Sequence, residues 1–474
     1  VVERSALLRS GCIGNFVMTT PAGHLSRDEL NARIADGSIE TVINAVCDMQ
    51  GRLMGKRVSG WYMAEHAIDT GTHFCSYLLG NDMEMNTPDG FPLMSWDSGY
   101  GDYVAKPDWQ TLRILPWLKK TALVLADAVE EESGEQVPVA PRTILRRQIE
   151  KARLLGFEPM MAMELEYYLF DSSFDDARLH GYVGARRAGW YSEDYHILQG
   201  TRNEDVHGSI RSMLTAAGVP IEGSKGEDGA GQHEVNIHFS DALEAADRAV
   251  LLKHGAKEIA MQAGRALTFM PKLHQDWTGS SGHIHISLWD RDGTRNAFTT
   301  GGHGMSETMR WFLGGLLTYT RELSLFFAPS VNSYKRFAAA SWAPVNIVWG
   351  RDNRTVGYRI VGSNNALRIE CRFPGGDANP YLAASFLLAA GLAGIEEQID
   401  PAPPCTGNSY LATDCQRVPR ALYEAIEAWR HSELAPLAFG EIVAEHYLNA
   451  AIVEQHAFDR AVTDWELNRY FERG

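Results

Sequence analysis

The sequence predicts a mixed α+β protein, and two patterns in it carry that prediction. Four separate stretches alternate polar and apolar residues at spacing two, the signature of half-buried strands: MMAMELEYYLFD, GQHEVNIHF, SSGHIHISL and LRIECRFP. Residues 143–155, 242–267, 307–325 and 378–397 show helical apolar spacing instead. Residues i and i+2 of a strand share a face about 7 Å apart. Glu164 with Glu166, His283 with His285, and Arg368 with Glu370 and Arg372 therefore each project one way, while Leu165, Tyr167, Ile284, Ile286, Ile369 and Cys371 project the other. One such strand is what any solvated sheet face looks like. Four in one chain, with Glu234 on the remaining one, point to a site.

The remaining elements follow from local signals. Composition divides the chain near residue 137, and 474 residues are enough for roughly two or three domains. Ser26 followed by Glu29 is a capping-box start for a first helix. TVINAVCDMQGRLMGKRV reads as two short strands around a Gln-Gly turn. Segment 82–115, rich in proline, glycine and aromatics, reads as loop and turn. Residues 171–200 read as a polar surface loop with no legible role.

Charge and cysteine content exclude several classes. Net charge is −16 with no block of lysine or arginine, so neither nucleic acid nor an anionic membrane is an expected partner. No apolar run approaches the ~20 residues of a membrane helix. The opening VVERSALLRSGCIGNFVM lacks the features of a signal peptide, and residues 1–24 are expected to be a flexible leader, with Met18 near the native boundary. The six cysteines show no CxxC pairing and read as reduced thiols of a cytoplasmic protein.

Ligand hardness then bears on the clustered charge. Glu164, Glu166, Glu227, Glu234 and Glu370 with an imidazole make an oxygen-rich set suited to Mg²⁺ or Mn²⁺ rather than zinc. Crowded carboxylates repel one another unless cations sit between them. Mg²⁺ usually keeps positions open for phosphate oxygens, which points to nucleotide chemistry.

At these residues the chain resembles glutamine synthetases of the bacterial type I group, from about Leu25 to the C-terminus. The matching motifs are the E-x-E of Glu164 and Glu166, EDGAGQHE from Glu227 to Glu234, GSSGHIH ending at His285, NSYKRF with Arg336, DNRTVGYR with Arg354 and Arg359, and RIECRFPGGDANPYL. The resemblance implies a small N-terminal β-grasp-like domain over residues 25–136 and a catalytic domain over 137–474, built on a curved antiparallel half-barrel sheet backed by helices. It implies one metal held by Glu166, Glu227 and Glu234 and a second by Glu164, His283 and Glu370, with His285 facing the phosphates of ATP. Arg336 and Arg372 match the arginines that bind glutamate, and Arg354 and Arg359 those that steady the transferring phosphoryl group. Glu222, Phe239, Ser287 and Arg368 fall at the nucleotide pocket, and Gly279 on the loop that covers glutamate. Asp48 matches an aspartate offered across a subunit interface, although alone it reads as a turn residue. Rings of six, single or doubled to twelve, are the implied assembly, with sites shared between subunits.

Such chemistry needs ATP to turn the γ-carboxylate of glutamate into an acyl phosphate that an amine can attack. Phosphoryl transfer asks for positioning and charge neutralisation more than for a protein nucleophile.

Departures from the family pattern bear on the amine. Ammonium-using members carry a glutamate at the sixth position after the arginine of NSYKR, where this chain has Trp342. A desolvated ammonium ion needs an anion or several acceptors. An indole offers a π face and an N–H, so an organic primary amine is the expected acceptor, whether aromatic, alkyl or a polyamine; Trp342 filling core beside the flap is the plainer alternative. Thr278 stands where the family has asparagine, and Tyr410 occupies the position that some members adenylylate, without the acidic context of regulated enzymes. The competing readings are an ordinary glutamine synthetase and an inactive structural homologue.

Overall fold

A computed structural model describes residues 23–474; the expected leader and Met18 lie almost entirely outside the described residues. Two large sheets organise the described residues, beside a small ribbon of Thr299–Gly301 and Gly304–Met305. The first has six strands in the order Leu53–Ser59, Thr41–Cys47, Thr121–Glu130, Asp102–Pro107 and Thr72–Cys75, with Arg113–Ile114 also paired to Thr121–Glu130. Thr41–Cys47 and Thr121–Glu130 run parallel; the other pairs are antiparallel. The capping box forms as expected, Ser26 Oγ accepting from Glu29 N at the head of helix Arg27–Ala35.

The second sheet carries the charged strands. Its order is Trp349–Arg351, Tyr358–Val361, Arg368–Cys371, Gly282–Asp290, Phe157–Phe170, Gln232–Ile237 and Ile221–Gly226, with Ser240–Asp241 and Ala266–Thr268 also on Phe157–Phe170. All four stretches with period-two charge are neighbours in this curved half-barrel sheet. Helices Pro141–Leu154 and Ala242–Gln262 back its longest strand, and Pro380–Glu396 packs across both and against Glu307–Tyr319. A continuous core runs from Ile43 and Leu125 through Met163, Leu165 and Ile284 to Phe386 and Ala451. A smaller core of Leu30, Val42, Met63 and Val124 fills the other face of the first sheet.

One buried cation ties the two regions together. Arg142 reaches Asp127 at 2.6 Å, Asp108 at 2.8 Å and Asp247 at 2.9 Å, and Asp247 also accepts from the Tyr381 hydroxyl at 2.6 Å. Removing one partner of such a buried network typically costs about 3–5 kcal/mol.

Some local expectations are corrected. Segment 82–115 is not all loop: Asp102–Pro107 is a strand, because Val104 and Ala105 bury against a strand that lies later in the chain. The helix expected over 242–267 stops at Gln262, where Gly264 turns the backbone at φ 72°, and Ala266–Thr268 becomes an edge strand. The helix over 307–325 ends at Tyr319. Residues 171–200 include the helix Phe174–Leu179 under its own Ser173 capping box and the start of Ile197–Arg202.

Candidate active site

Register brings the expected residues together. Across the antiparallel strands Glu164 faces His283, Glu166 faces Glu234, His285 faces Glu370 and Glu370 faces Arg359. One face of the half-barrel therefore holds five of the six expected metal ligands, and the sixth, Glu227, follows the strand Ile221–Gly226.

Two donor groups result. Glu164, His283 and Glu370 have ligand atoms within 4.8 Å of one another, and so do Glu166, Glu234 and His283. Carboxylate oxygens with an imidazole suit a hard divalent cation, so the residues present fit such a metal. His283 Nδ1 lies 3.6 Å from Glu164 and 3.7 Å from Glu370, and His285 Nε2 lies 2.9 Å from the other Glu164 oxygen. His283 thus stands between the groups instead of belonging to one of them. Glu227 is turned towards the ammonium of Lys225, with which it pairs, and Lys225 lies 3.8 Å from Glu234.

Electrostatics separate the carboxylates. Burial pushes Glu227 up, helped by the charge of Glu166, and pushes Glu234 up, helped by Glu164, Glu166 and Glu227. Burial opposes ionisation of Glu164 as well, but the adjacent imidazoles of His283 and His285 outweigh it and hold the group well below the usual carboxylate range. Glu370 is likewise buried, yet His283, Arg372, His285 and Arg359 bring it to about 2. Its oxygens receive Arg372 at 2.6 Å and Arg359 at 2.9 Å. Glu166 accepts from the Ser281 amide at 2.7 Å and from Gln232 Nε2 at 3.2 Å.

The expected glutamate residues adjoin this cluster. Arg336 is buried and donates to the carbonyls of Phe373 at 2.8 Å and Arg372 at 3.0 Å, and burial lowers it to about 10. Those contacts use two of the five N–H groups of a guanidinium. Gly279 lies against the stem of Arg336, and its carbonyl accepts from Gln232 at 3.1 Å. Thr278 gives its hydroxyl to Asp228, a contact asparagine would make differently.

All five expected nucleotide residues line one cavity. Glu222, Phe239, His285, Ser287 and Arg368 surround about 280 Å³ that opens onto Glu164. Arg368 donates to His285 Nδ1 at 3.1 Å, while the buried Nε2, 2.9 Å from a Glu164 oxygen, makes no hydrogen bond.

Other expected residues stand apart from the cluster. Arg354 is exposed beside Asp352, the partner of Arg359. Asp48 is buried in its own chain, paired with Arg52 at 2.6 Å, while Asn379 donates to its carbonyl at 2.9 Å. Trp342 is 55% exposed at φ 63°, a left-handed conformation unusual for a bulky residue, and Ala340, two residues before it, has φ 57°. Tyr410 donates its hydroxyl to Ala343 O at 2.9 Å, the residue after Trp342. Lys225 and Gln232 escaped the sequence reading, although each lies two residues before an expected ligand and so could share its face.

Comparison with known proteins agrees with this geometry. Residues 138–470 match the family described as glutamine synthetase, catalytic domain. The chain is 48% identical over 449 residues to γ-glutamylethanolamide synthetase GlnA4 of Streptomyces coelicolor, covering 95% of this chain and 96% of that one. It is 38% identical to glutamate–isopropylamine ligase of a Pseudomonas species, covering 92% and 95%. A solved GmaS/ADP complex superposes with a TM-score of 0.81 at 29% identity, over 93% of this chain and 99% of the other. Together with the half-barrel and its facing carboxylates, the match of residues 138–470 and the 48% identity over 95% of its length show that this chain belongs to the glutamine synthetase family.

Proposed function

We propose that this protein is an ATP-dependent ligase that joins the γ-carboxylate of glutamate to an organic primary amine. In the first half-reaction a γ-carboxylate oxygen attacks the terminal phosphorus of ATP and ADP leaves. In the second the amine nitrogen attacks the acyl carbon, phosphate departs and the nitrogen gives up a proton. The cavity beside Glu164, lined by Phe239 and Arg368, takes the nucleotide. Arg336 and Arg372 receive the carboxylates of glutamate, Gly279 gives the covering loop room beside Arg336, and Arg359 with Arg354 steadies the phosphoryl group in flight. Glu166, Glu227 and Glu234 would hold one Mg²⁺, or Mn²⁺, and Glu164, His283 and Glu370 the other, supplying charge neutralisation at the phosphates.

Trp342 carries the amine half of this reading. It stands half exposed on the segment that leaves Arg336, presenting a ring where ammonium users carry a carboxylate. The likeness to two proteins named for organic amines supports it. We propose further that residues 25–136 and 137–474 are the two domains, and that chains assemble in rings of six, single or doubled, with Asp48 released from Arg52 towards a neighbouring site.

ADP release from the full-length protein at fixed glutamate, ATP and Mg²⁺ tests the reading. Ammonium, ethanolamine, isopropylamine, aniline and putrescine are compared by kcat/KM. An organic amine should rank first. Ammonium ranking above all of them would make the protein an ordinary glutamine synthetase, and no turnover with any would make it an inactive homologue.

A further inference from the structure

Lys225 is placed by the sheet itself among the carboxylates. It faces Glu234 across the strands Ile221–Gly226 and Gln232–Ile237, and Glu234 in turn faces Glu166 on Phe157–Phe170. Lysine, glutamate, glutamate thus form one row across adjacent strands, where cross-strand neighbours sit about 4.5–5.5 Å apart. Like charges opposite one another in such a row are destabilising, and a third carboxylate, Glu227, is added from the loop that follows.

The ammonium of Lys225 answers that repulsion. It pairs with Glu227, lies 3.8 Å from Glu234, and has the ring of Tyr195 at 4.6 Å. Carboxylates on one side and an aromatic face on the other are what a bound cation seeks. Tyr195 is fixed there because residues 193–195 hydrogen-bond to the loop after the strand: the amides of Glu193 and Asp194 donate to Glu227 O at 3.1 and 2.9 Å, and that of Tyr195 to Gly226 O at 3.2 Å. Glu193 also accepts from the Gly231 amide at 2.9 Å. The otherwise unread 171–200 segment therefore clamps the Glu227 loop and covers its lysine.

We propose that Lys225 is an internal counter-cation that competes with the divalent metal for the Glu166, Glu227 and Glu234 position. Its charge keeps the three carboxylates together when no metal is bound, and the metal must displace it to gain Glu227. It is a positioning residue, set to hold affinity at this place below what three carboxylates would otherwise give. The inference rests on the reading that these carboxylates hold a metal.

The test is titration of the full-length, EDTA-treated protein with Mn²⁺ alone, following the free ion by electron paramagnetic resonance. Glu234→Gln identifies the class of bound Mn²⁺ that belongs to this position. In Lys225→Met that class should tighten by at least tenfold and the other should hold, while the melting temperature in EDTA should fall. Lys225→Arg, which keeps the charge, should leave the class weak; Lys225→Gln gives the same reading as Lys225→Met should the latter not fold. An unchanged Mn²⁺ affinity in the Met and Gln variants, or equal tightening by Arg, overturns the role of Lys225 alone. Wild-type protein that binds no Mn²⁺, or binds it undiminished in Glu234→Gln, overturns the metal reading beneath it.

Discussion

A Cβ on Gly279 would sit 2.8 Å from Cγ of Arg336, and 2.7 Å from the carbonyl oxygen of Pro271, so loop and arginine are fitted together with no space between them. Neither neighbour is the free end of a flexible side chain, so the loop backbone at Gly279 and Pro271, and with it the buried stem of Arg336, must shift for any larger residue.

Gly279→Ala should therefore act on glutamate rather than on the nucleotide. Displacing the loop moves Arg336 and disturbs Gln232, which bridges Gly279 O and Glu166. KM for glutamate should rise by about tenfold or more, equivalent to about 1.4 kcal/mol. ATP affinity should change little, because its cavity is lined by other residues. Equal losses for both substrates, measured by initial rates, would place the loop elsewhere.

The metal assignment predicts loss of both activity and ligand-dependent stability. Glu164→Ala, Glu234→Ala and Glu370→Ala each remove a directly facing oxygen donor. Outer partners of a metal site already cost 10–100-fold when mutated, so kcat should fall by more than about 100-fold for each. The rise in melting temperature on adding Mg²⁺ should shrink in parallel. Glu370→Ala should also melt lower without metal, since Arg359 and Arg372 lose their shared partner. Near-normal turnover in all three variants would refute the assignment.

How much of this was readable depends on how local each signal is. The doublets at Glu164, His283 and Glu370 were legible because period two, with Leu165, Ile284 and Ile369 buried behind them, fixes which way a strand faces. That the four strands are neighbours is a matter of long-range pairing, and it entered through ordered motifs. The strand Asp102–Pro107 was missed for the same reason: its own composition says turn, and only its pairing with Thr72–Cys75 and Thr121–Glu130 makes it a strand. Lys225 looked like any surface lysine, since its meaning comes from Glu234 on the adjacent strand and from Tyr195 some thirty residues earlier.

Stability should depend on pH through His446. The residue is fully buried, donates through Nε2 to Leu79 O at 2.9 Å, and lies 4.7 Å from the ring of Phe91. Burial lowers it from its ordinary 6.5 to about 3, although the Leu79 bond works the other way. A histidine whose folded value is depressed must stay neutral to remain folded, while the unfolded chain takes up a proton below about 6.5. Its contribution is therefore complete above pH 6.5 and is lost as pH falls towards 3, by up to about 1.4 kcal/mol per unit. His446→Gln should be less stable at pH 7.5 but show a shallower loss of melting temperature between pH 6.5 and 4.5. Parallel pH profiles would remove His446 as the cause.

Trp342 makes the sharpest prediction about substrate choice. Its φ of 63° and that of Ala340 at 57° are strained for residues with side chains, and Tyr410 holds the adjoining Ala343 carbonyl. Strain of this kind persists where surrounding contacts impose it and is frequent at functional sites. The ring is thus presented to solvent rather than filed into the core, which favours a binding role over core filling. A pair of aromatic rings gains about 0.5–1.5 kcal/mol beyond area burial, and each CH₂ of an alkyl amine buried against the ring contributes up to about 0.8 kcal/mol. Trp342→Ala should therefore raise KM for the preferred organic amine by about two- to tenfold, leaving KM for ATP and glutamate near wild type. Trp342→Glu should shift kcat/KM towards ammonium, because it returns an anion that a desolvated ammonium ion requires. Competition assays with both amines present read the shift directly. If Trp342→Glu gains nothing on ammonium and Trp342→Ala keeps its amine affinity, selectivity is set by other residues of the site and the tryptophan only shapes the segment that carries it.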